Sequence, residues 1–299
     1  MRVTQRMMIS SSLAGLNGNL AAVNRMQEQL TSGKVLSRPS DSPTDTNTAM
    51  QTRSRQAAVS QQAENINDAR SWMDQTDTTL QNMIGVTHRI RNLTVQGLNS
   101  GATSASSASA IATEVALLRD SLLGMANTTV QGRPIFGGVT TGSTAYDATT
   151  GAYTGVLAPD GSPVPVTRRL SDVESIRIDV TGPEAFGTGP GELFAVVADI
   201  ADHVLNDPAA LAGDLTALDA SLNRMLVAIA GVGASAARVE TARTVNMDSQ
   251  LSLTSRLSAI EDVDLAKTTM ELQMQQVTYQ AALSVTAKTL QQSLVDFLR

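Results

Sequence analysis

Few residues in this chain of 299 could perform catalysis. The two histidines, His88 and His203, stand far apart, and neither has a second histidine four residues later, so the HExxH pattern of zinc hydrolases is missing. There is no cysteine, which excludes disulfides, zinc-thiolate sites and thiol catalysis. The sequence therefore predicts a protein that is not an enzyme, with no catalytic residue, no metal site and no cofactor.

A group of glycines, Gly187, Gly189 and Gly191, is similar to a phosphate-binding loop in composition alone. Pro190 removes one of the backbone N–H donors that such a loop needs, and the usual glycine spacing is missing. We therefore interpret this group as a turn.

The overall composition excludes two further classes. A net charge of −6 and a pI near 5.0 argue against a nucleic-acid binder, because no basic domain is left to neutralise phosphates. The longest apolar run, residues 225–234, is well below the roughly 18 residues of a membrane span, and residues 1–12 do not form a cleaved signal peptide. Aromatic residues make up only 3% of the chain, which favours thin helical layers over a thick core.

The most regular element is a 4-3 spacing of mostly apolar residues that continues without a break from Leu211 to Ile260. It predicts a helix about 75 Å long at ~1.5 Å per residue, whose seam needs partner helices. Arg243, Asn246 and Gln250 occupy successive seam positions. Either they fix register or partner number, or the seam rotates and they face water; the second interpretation is favoured.

Similar spacing marks both ends of the chain. Near the N-terminus it predicts a helix that ends at Gly33, with a seam at Ile9, Leu13, Leu16, Leu20, Val23, Gln27 and Leu30, in which Gln27 is the one polar break. The last segment carries Leu272, Tyr279, Leu283, Ala287, Leu290, Leu294 and Phe297. Met7, Met8, Met270 and Met274 are interpreted as adaptable packing residues, suited to helices that repack between different neighbours.

Two further helices are predicted in the first half. One begins near Pro43 and continues to about Leu98, with a seam at Ile66, Ala69, Met73, Thr76, Leu80, Met83, Thr87 and Ile90. Trp72, beside this seam, is interpreted as a packing residue. The next helix carries Ile111 to Met125, and the short polar turn between the two predicts that they are antiparallel.

Between residues 132 and 191 the composition changes, because 11 of the 21 Gly and 6 of the 9 Pro lie there. That density excludes a long helix. Alternation at Ile176, Ile178 and Val180 predicts strands, and Asp160-Gly161 predicts a hairpin turn. A short helix, Leu193 to Leu205, is predicted next, and Pro208 suits the start of the long helix.

These elements predict a mainly α fold, an elongated helical rod with a small β-rich central insertion. Five segments are expected along the chain. They are an N-terminal inner helix and turn (1–42), a first rod segment (43–131), a β-rich outer insertion (132–191), a second rod segment (192–260) and a C-terminal inner helix (261–299).

Several ordered motifs resemble the flagellin-like axial proteins of bacterial flagella. They are the start Met1 to Met8, the turn Leu30 to Lys34 followed by Pro39 to Pro43, the segment Gly132 to Gly138, and the stretch from Leu257 to Leu298. Together they cover residues 1–138 and 193–299, and their common order makes the resemblance specific.

The resemblance implies that the N- and C-terminal helices pair as a coiled coil in an inner domain, while the insertion faces outward. It also implies a structural adaptor that joins the hook, through hook-associated protein 1, to the flagellin filament by coupled folding and helical polymerisation. The expected partners are a homo-oligomeric ring, hook-associated protein 1, flagellin, an export chaperone and the type III export apparatus, with no nucleic acid and no membrane span.

The expected location is extracellular, in the flagellum. The assembly interface is predicted at Ile9, Leu13, Leu16, Leu20, Val23, Leu30, Leu272, Tyr279, Leu283, Leu290, Leu294 and Phe297. The alternatives are a filament flagellin, which shares helical ends, and a secreted coiled-coil protein.

Overall fold

The computed structural model describes residues 2–99, 104–140, 142–159 and 161–297, with side chains at residue 7 and, within those ranges, from residue 10 to residue 288. The fold is mainly α, as predicted. The helices are α1 (Arg2–Ser32), α2 (Pro43–Leu98), α3 (Ala105–Ala126), α4 (Gly182–Phe186), α5 (Leu193–Asn206), α6 (Leu211–Glu261) and α7 (Leu265–Phe297). The strands are β1 (Thr129–Val130), β2 (Arg133–Pro134), β3 (Thr167–Arg169) and β4 (Ser175–Arg177).

The helix boundaries follow local chemistry. Gly33 has a φ of 70°, a left-handed conformation that glycine adopts without strain, so α1 ends at Ser32 as predicted. Pro43 is the first residue of α2, where its missing N–H has no intrahelical partner to lose. Pro208 lies in the turn before α6, which begins three residues later at Leu211.

The two long helices present the seams that their spacing predicts. All eight predicted seam positions of α2, from Ile66 to Ile90, are buried. None of the fifteen seam positions of α6, from Leu211 to Ile260, is exposed. The heptad pattern therefore identified the inward faces of both helices.

The favoured interpretation of the polar seam positions is wrong for Asn246. This side chain is only 7% exposed, and its Nδ2 donates a hydrogen bond to the backbone oxygen of Val59 at 2.9 Å. Arg243 is half-buried and pairs with Glu240 at 3.0 Å, and Gln250 is also half-buried. The seam therefore does not rotate Asn246 into water. Its buried amide is tolerated because it donates a hydrogen bond to α2.

The middle of the chain contains less strand than predicted. β1 pairs with β2 and β3 with β4, both antiparallel, as two separate two-stranded sheets. Asp160 lies outside the described residues. Next to it Gly161 has a φ of 80° and its N–H reaches the oxygen of Ala158 at 2.8 Å, so the turn is present. The hairpin itself is reduced to a bridge between Leu157 and Pro163, because proline cannot donate to a ladder.

The chain divides into two compact units. Unit 1 contains residues 1–58 and 249–299, and unit 2 contains residues 59–248. The five-segment division remains a prediction. In unit 2, the seams of the helices and residues 132–191, which we name the central segment, together bury one apolar cluster. This cluster includes an aromatic group of Phe136, Tyr146, Phe186 and Phe194. Trp72 and Met73 belong to this cluster, each 2% exposed, as packing residues.

Within the described residues, one helix is long and apolar enough by composition to cross a membrane, namely α6. The count of uninterrupted apolar residues missed it, because polar residues interrupt the stretch. Its side chains Leu218, Leu222, Met225 and Val232 are buried against protein, which favours a packed helix.

Candidate assembly interface

Burial differs sharply between the two units. The apolar cluster of unit 2 contains 36 buried residues, whereas the buried apolar residues among the described side chains of unit 1 are Val23 and Ala49. Unit 1 nevertheless exposes twelve large apolar side chains. Among the side chains that the structure describes, unit 1 therefore has almost no apolar core.

Unit 1 is built on the pairing of α1 with α7, which are antiparallel. The inward face of each helix repeats every three and four residues, and all its members are buried or half-buried. On α1 this face carries Ser12, Leu16, Asn19, Val23, Met26 and Leu30; on α7 it carries Thr268, Leu272, Gln275, Tyr279, Ala282 and Thr286. Gln275 Nε2 donates to Asn19 Oδ1 at 3.2 Å across the pair. The two helices therefore meet as a short coiled coil with a mixed polar and apolar seam.

The twelve predicted interface residues fall into three groups. Five lie on the inward faces of the pair: Leu16, Val23, Leu30, Leu272 and Tyr279. Three remain exposed: Leu13 at 50%, Leu20 at 41% and Leu283 at 43%. The side chains of Ile9, Leu290, Leu294 and Phe297 lie outside the described residues. One terminal helix thus already covers part of the other within a single chain, and Leu13, Leu20 and Leu283 stay exposed.

The outer face of α7 carries a second apolar stripe, of which the sequence pattern singled out only Met270 and Met274, and these are exposed in the single chain. Met270, Met274, Val277 and Val285 are 65%, 67%, 66% and 63% exposed. With Ala281 they repeat at helical spacing on the side opposite the α1 seam. The signal was present, since the spacing from Met270 to Val277 also obeys the 4-3 rule, but the larger leucines masked it.

A cluster of ion pairs and backbone hydrogen bonds, which we name the clasp, joins the end of α1 to the start of α7. The Val35 N–H donates to the Glu261 oxygen at 2.7 Å, and the Val263 N–H to the Gly33 oxygen at 3.0 Å. Between them Lys34 and Asp262 form an antiparallel bridge. The clasp comprises Gly33, Lys34, Val35, Arg53, Glu261, Asp262 and Val263.

Opposite charges reinforce the clasp. Lys34 Nζ lies 2.5 Å from Asp262 Oδ1, a hydrogen bond that raises the pKa of Lys34 and lowers the pKa of Asp262. The carboxylate of Glu261 is only 6% exposed and lies 2.8 Å from Arg53 Nη2 and 3.6 Å from Lys34 Nζ. A buried carboxylate without these cations would be strongly destabilising, so Arg53 and Lys34 keep it in place.

A polar groove of about 370 Å³ separates α1 from the turn that follows the clasp. Its lining includes Arg25, Glu28, Arg38 and Asp41. Asp41 accepts hydrogen bonds from the backbone N–H groups of Arg38 at 2.8 Å and Ser37 at 3.3 Å, and these lower its pKa. The lining residues neutralise one another, and the carboxylate of Asp41 serves the turn.

The histidines and glycines that were candidates for catalysis or phosphate binding lie in an ion pair, on the surface and in turns. His203 Nδ1 lies 2.7 Å from Asp214 Oδ2, and this hydrogen bond raises the pKa of His203; His88 is exposed. Gly187 and Gly189 have φ values of 89° and 63°, as turn glycines do. Within the part of the chain that the structure describes, no group of three or more His, Cys, Asp or Glu could hold a metal ion.

Comparison with protein families assigns both ends of the chain. Residues 3–141 match the N-terminal helical region of bacterial flagellin, and residues 215–298 match its C-terminal helical region. The unmatched middle, residues 142–214, contains most of the central segment and α5. The matched regions therefore include both helices of the terminal pair.

Full-length relatives point to one group of flagellar proteins. Flagellar hook-associated protein 3 of Salmonella typhimurium is 27% identical, over 94% of this chain and 95% of that protein. The crystal structure of FlgL from Bacillus cereus is 23% identical with a TM-score of 0.59, covering 70% of this chain and 99% of that one. The flagellar junction protein FlgL of Legionella pneumophila is 13% identical with a TM-score of 0.54, covering 72% and 100%. The two crystal structures confirm the fold.

Proposed function

The chain belongs to the flagellin-like proteins of the bacterial flagellum, in the group of flagellar hook-associated protein 3, and we propose that it is a structural adaptor at the junction between hook and filament. Several copies would form a ring that binds hook-associated protein 1 on one side and flagellin on the other. As an axial component it would leave the cell through the type III export apparatus, helped by an export chaperone.

The near absence of a core in unit 1 carries this proposal. Among its described side chains, unit 1 buries two apolar residues and exposes twelve large ones, so this part of the unit gains little hydrophobic stabilisation within one chain. Burying a leucine side chain contributes about 1.5 to 3 kcal/mol, so packing Leu13, Leu20 and Leu283 against neighbouring copies would stabilise the unit considerably. Folding of unit 1 would then be completed by polymerisation.

The division of labour between the units supports an adaptor. Unit 2 has a full core and would keep its structure before and after assembly. Unit 1 supplies the contacts that depend on neighbours, through Leu13, Leu20 and Leu283 and the outer stripe of α7. A protein with one permanent and one conditional unit can be exported as a monomer and can assemble only at a template.

Reconstitution on purified hooks tests the role. Hooks that carry hook-associated protein 1 should bind the full chain and then nucleate flagellin filaments, whereas hooks without the chain should not. A variant that lacks residues 1–30 should keep the circular dichroism and thermal transition of unit 2 and should not bind hook ends. Normal binding by that variant would contradict the role of α1. Growth of long filaments by the chain alone would instead favour a filament flagellin.

A further inference from the structure

The seam between α1 and α7 does not by itself select one alignment. Its members repeat every seven residues, so a slip of one heptad again places seam positions opposite seam positions. The seam also mixes small, polar and apolar residues, such as Ser12, Asn19, Thr268 and Ala282, whose packing discriminates weakly between alignments. Another feature must determine the register.

The clasp has the required geometry, because it joins the residues that directly follow α1 to the residues that directly precede α7. Gly33 follows α1 directly, and Val263 precedes α7 by two residues, and they share a backbone hydrogen bond of 3.0 Å. A slip of one heptad moves one helix past the other by about 10 Å at ~1.5 Å per residue. The clasp must open for such a slip to occur.

A second contact, far from the clasp, agrees with the same alignment. Asn19 lies 15 residues before Lys34, and Gln275 lies 13 residues after Asp262. The two contacts therefore specify one antiparallel register to within two residues, less than one helical turn.

We propose that the clasp sets the register of the α1–α7 pair within a single chain. Opening it would separate Lys34 from Asp262 and from the buried carboxylate of Glu261, so slipped alignments leave that carboxylate with Arg53 as its remaining cation. The backbone hydrogen bonds of Val35 and Val263 hold the two segments antiparallel, and the ion pairs favour the aligned register over the slipped ones. Each copy would then present its exposed leucines to the neighbouring copy at a fixed position along the axis of the α1–α7 pair.

Cysteine cross-linking in this cysteine-free chain tests the register. Asn19→Cys with Gln275→Cys reports the aligned state, while Asn19→Cys with Thr268→Cys or with Ala282→Cys reports a slip of seven residues in either direction. With the clasp intact, the aligned pair should oxidise about tenfold faster than either slipped pair. Lys34→Glu should remove this preference, and Lys34→Arg, which keeps the positive charge beside Glu261 and Asp262, should retain it.

Two controls show whether the preference for the aligned cross-link depends on the charges of the clasp. Lys267→Glu makes the same change of charge at an exposed position of α7 and should leave the preference unchanged. In the chain with an unaltered clasp, 1 M salt should raise the slipped products, because Lys34 and Asp262 are nearly half exposed and are therefore screened. The proposal is overturned if Lys34→Glu retains a tenfold preference, or if the aligned pair fails to oxidise when the clasp is intact.

Discussion

At the scale of single residues, Asn246 shows how a polar side chain is tolerated in an apolar seam. Its amide is buried and satisfied by the oxygen of Val59. We expect Asn246→Ala to lower the free energy of unfolding by about 1 to 3 kcal/mol, because the change leaves a small cavity and removes the hydrogen bond between α6 and the oxygen of Val59. Chemical denaturation followed by circular dichroism measures this. The exposed Thr241→Ala on the same helix should change stability by less than about 0.5 kcal/mol.

Glu192 gives unit 2 a pH dependence near neutrality. Burial raises the pKa of this carboxyl to about 7, and its Oε1 finds no hydrogen-bond partner within the described residues. The folded state therefore holds a proton that the unfolded state releases near its ordinary pKa of 4.5. The free energy of unfolding should fall as pH rises from about 4.5 to about 7 and should level off above that.

Glu192→Gln tests this assignment, because glutamine cannot lose a proton. The difference in melting temperature between variant and unaltered chain should grow in favour of the variant from pH 5 to pH 8. Comparison with the unaltered chain at each pH also removes the contribution of His203, whose raised pKa supplies stability that is lost at higher pH. Glu64→Gln, at an exposed site, serves as control. A constant difference across this range would contradict the prediction.

At the scale of elements, the two sides of α1 differ in burial, and we expect substitutions on them to have different effects. Val23 is 8% exposed and faces α7, whereas Leu20 is 41% exposed. Val23→Asp should weaken the α1–α7 pair in the monomer, since it places a charge in the seam. Leu20→Asp should leave the pair intact and reduce binding to hook ends.

Hydrogen exchange of α1 amides in the monomer and a binding assay on hooks separate these effects. The pair of variants is matched in chemistry and lies three residues apart on one helix. Equal effects of Leu20→Asp and Val23→Asp on monomer exchange would show that the exposed face of α1 is not reserved for neighbouring molecules.

The sequence predicted the helices well because their seams are long and regular. The fifteen positions of α6 share one unbroken repeat, so their inward face had a single solution. On α1 the apolar repeat through Leu13 and Leu20 overlaps the buried repeat through Ser12 and Asn19. Hydrophobicity alone could not show that the face containing two polar residues is the one that pairs.

Contacts between distant parts of the chain could not be predicted. Lys34 and Asp262 are 228 residues apart, and no periodicity links them. The strand content of the middle is lower than the alternation at Ile176, Ile178 and Val180 predicts, because the β3–β4 ladder stops at Arg177 and contains only three pairs. Local patterns specify elements, and single ion pairs specify how elements meet.

At the scale of the whole molecule, one chain combines a unit with a full core and a unit whose described side chains form almost none. The apolar cluster of unit 2 needs no other molecule. Unit 1 relies on a mixed seam, the clasp and exposed leucines. This asymmetry is what a protein requires if it must remain monomeric until it reaches a growing structure.

Hydrogen exchange measured on the dilute monomer and on the assembled junction tests this account most directly. We expect the amides of α1 and α7 to exchange much faster than those of the α2 and α6 segments of unit 2 in the monomer, and to become protected on assembly while unit 2 changes little. The account would be contradicted if α1 and α7 were already as protected as unit 2 in the isolated monomer.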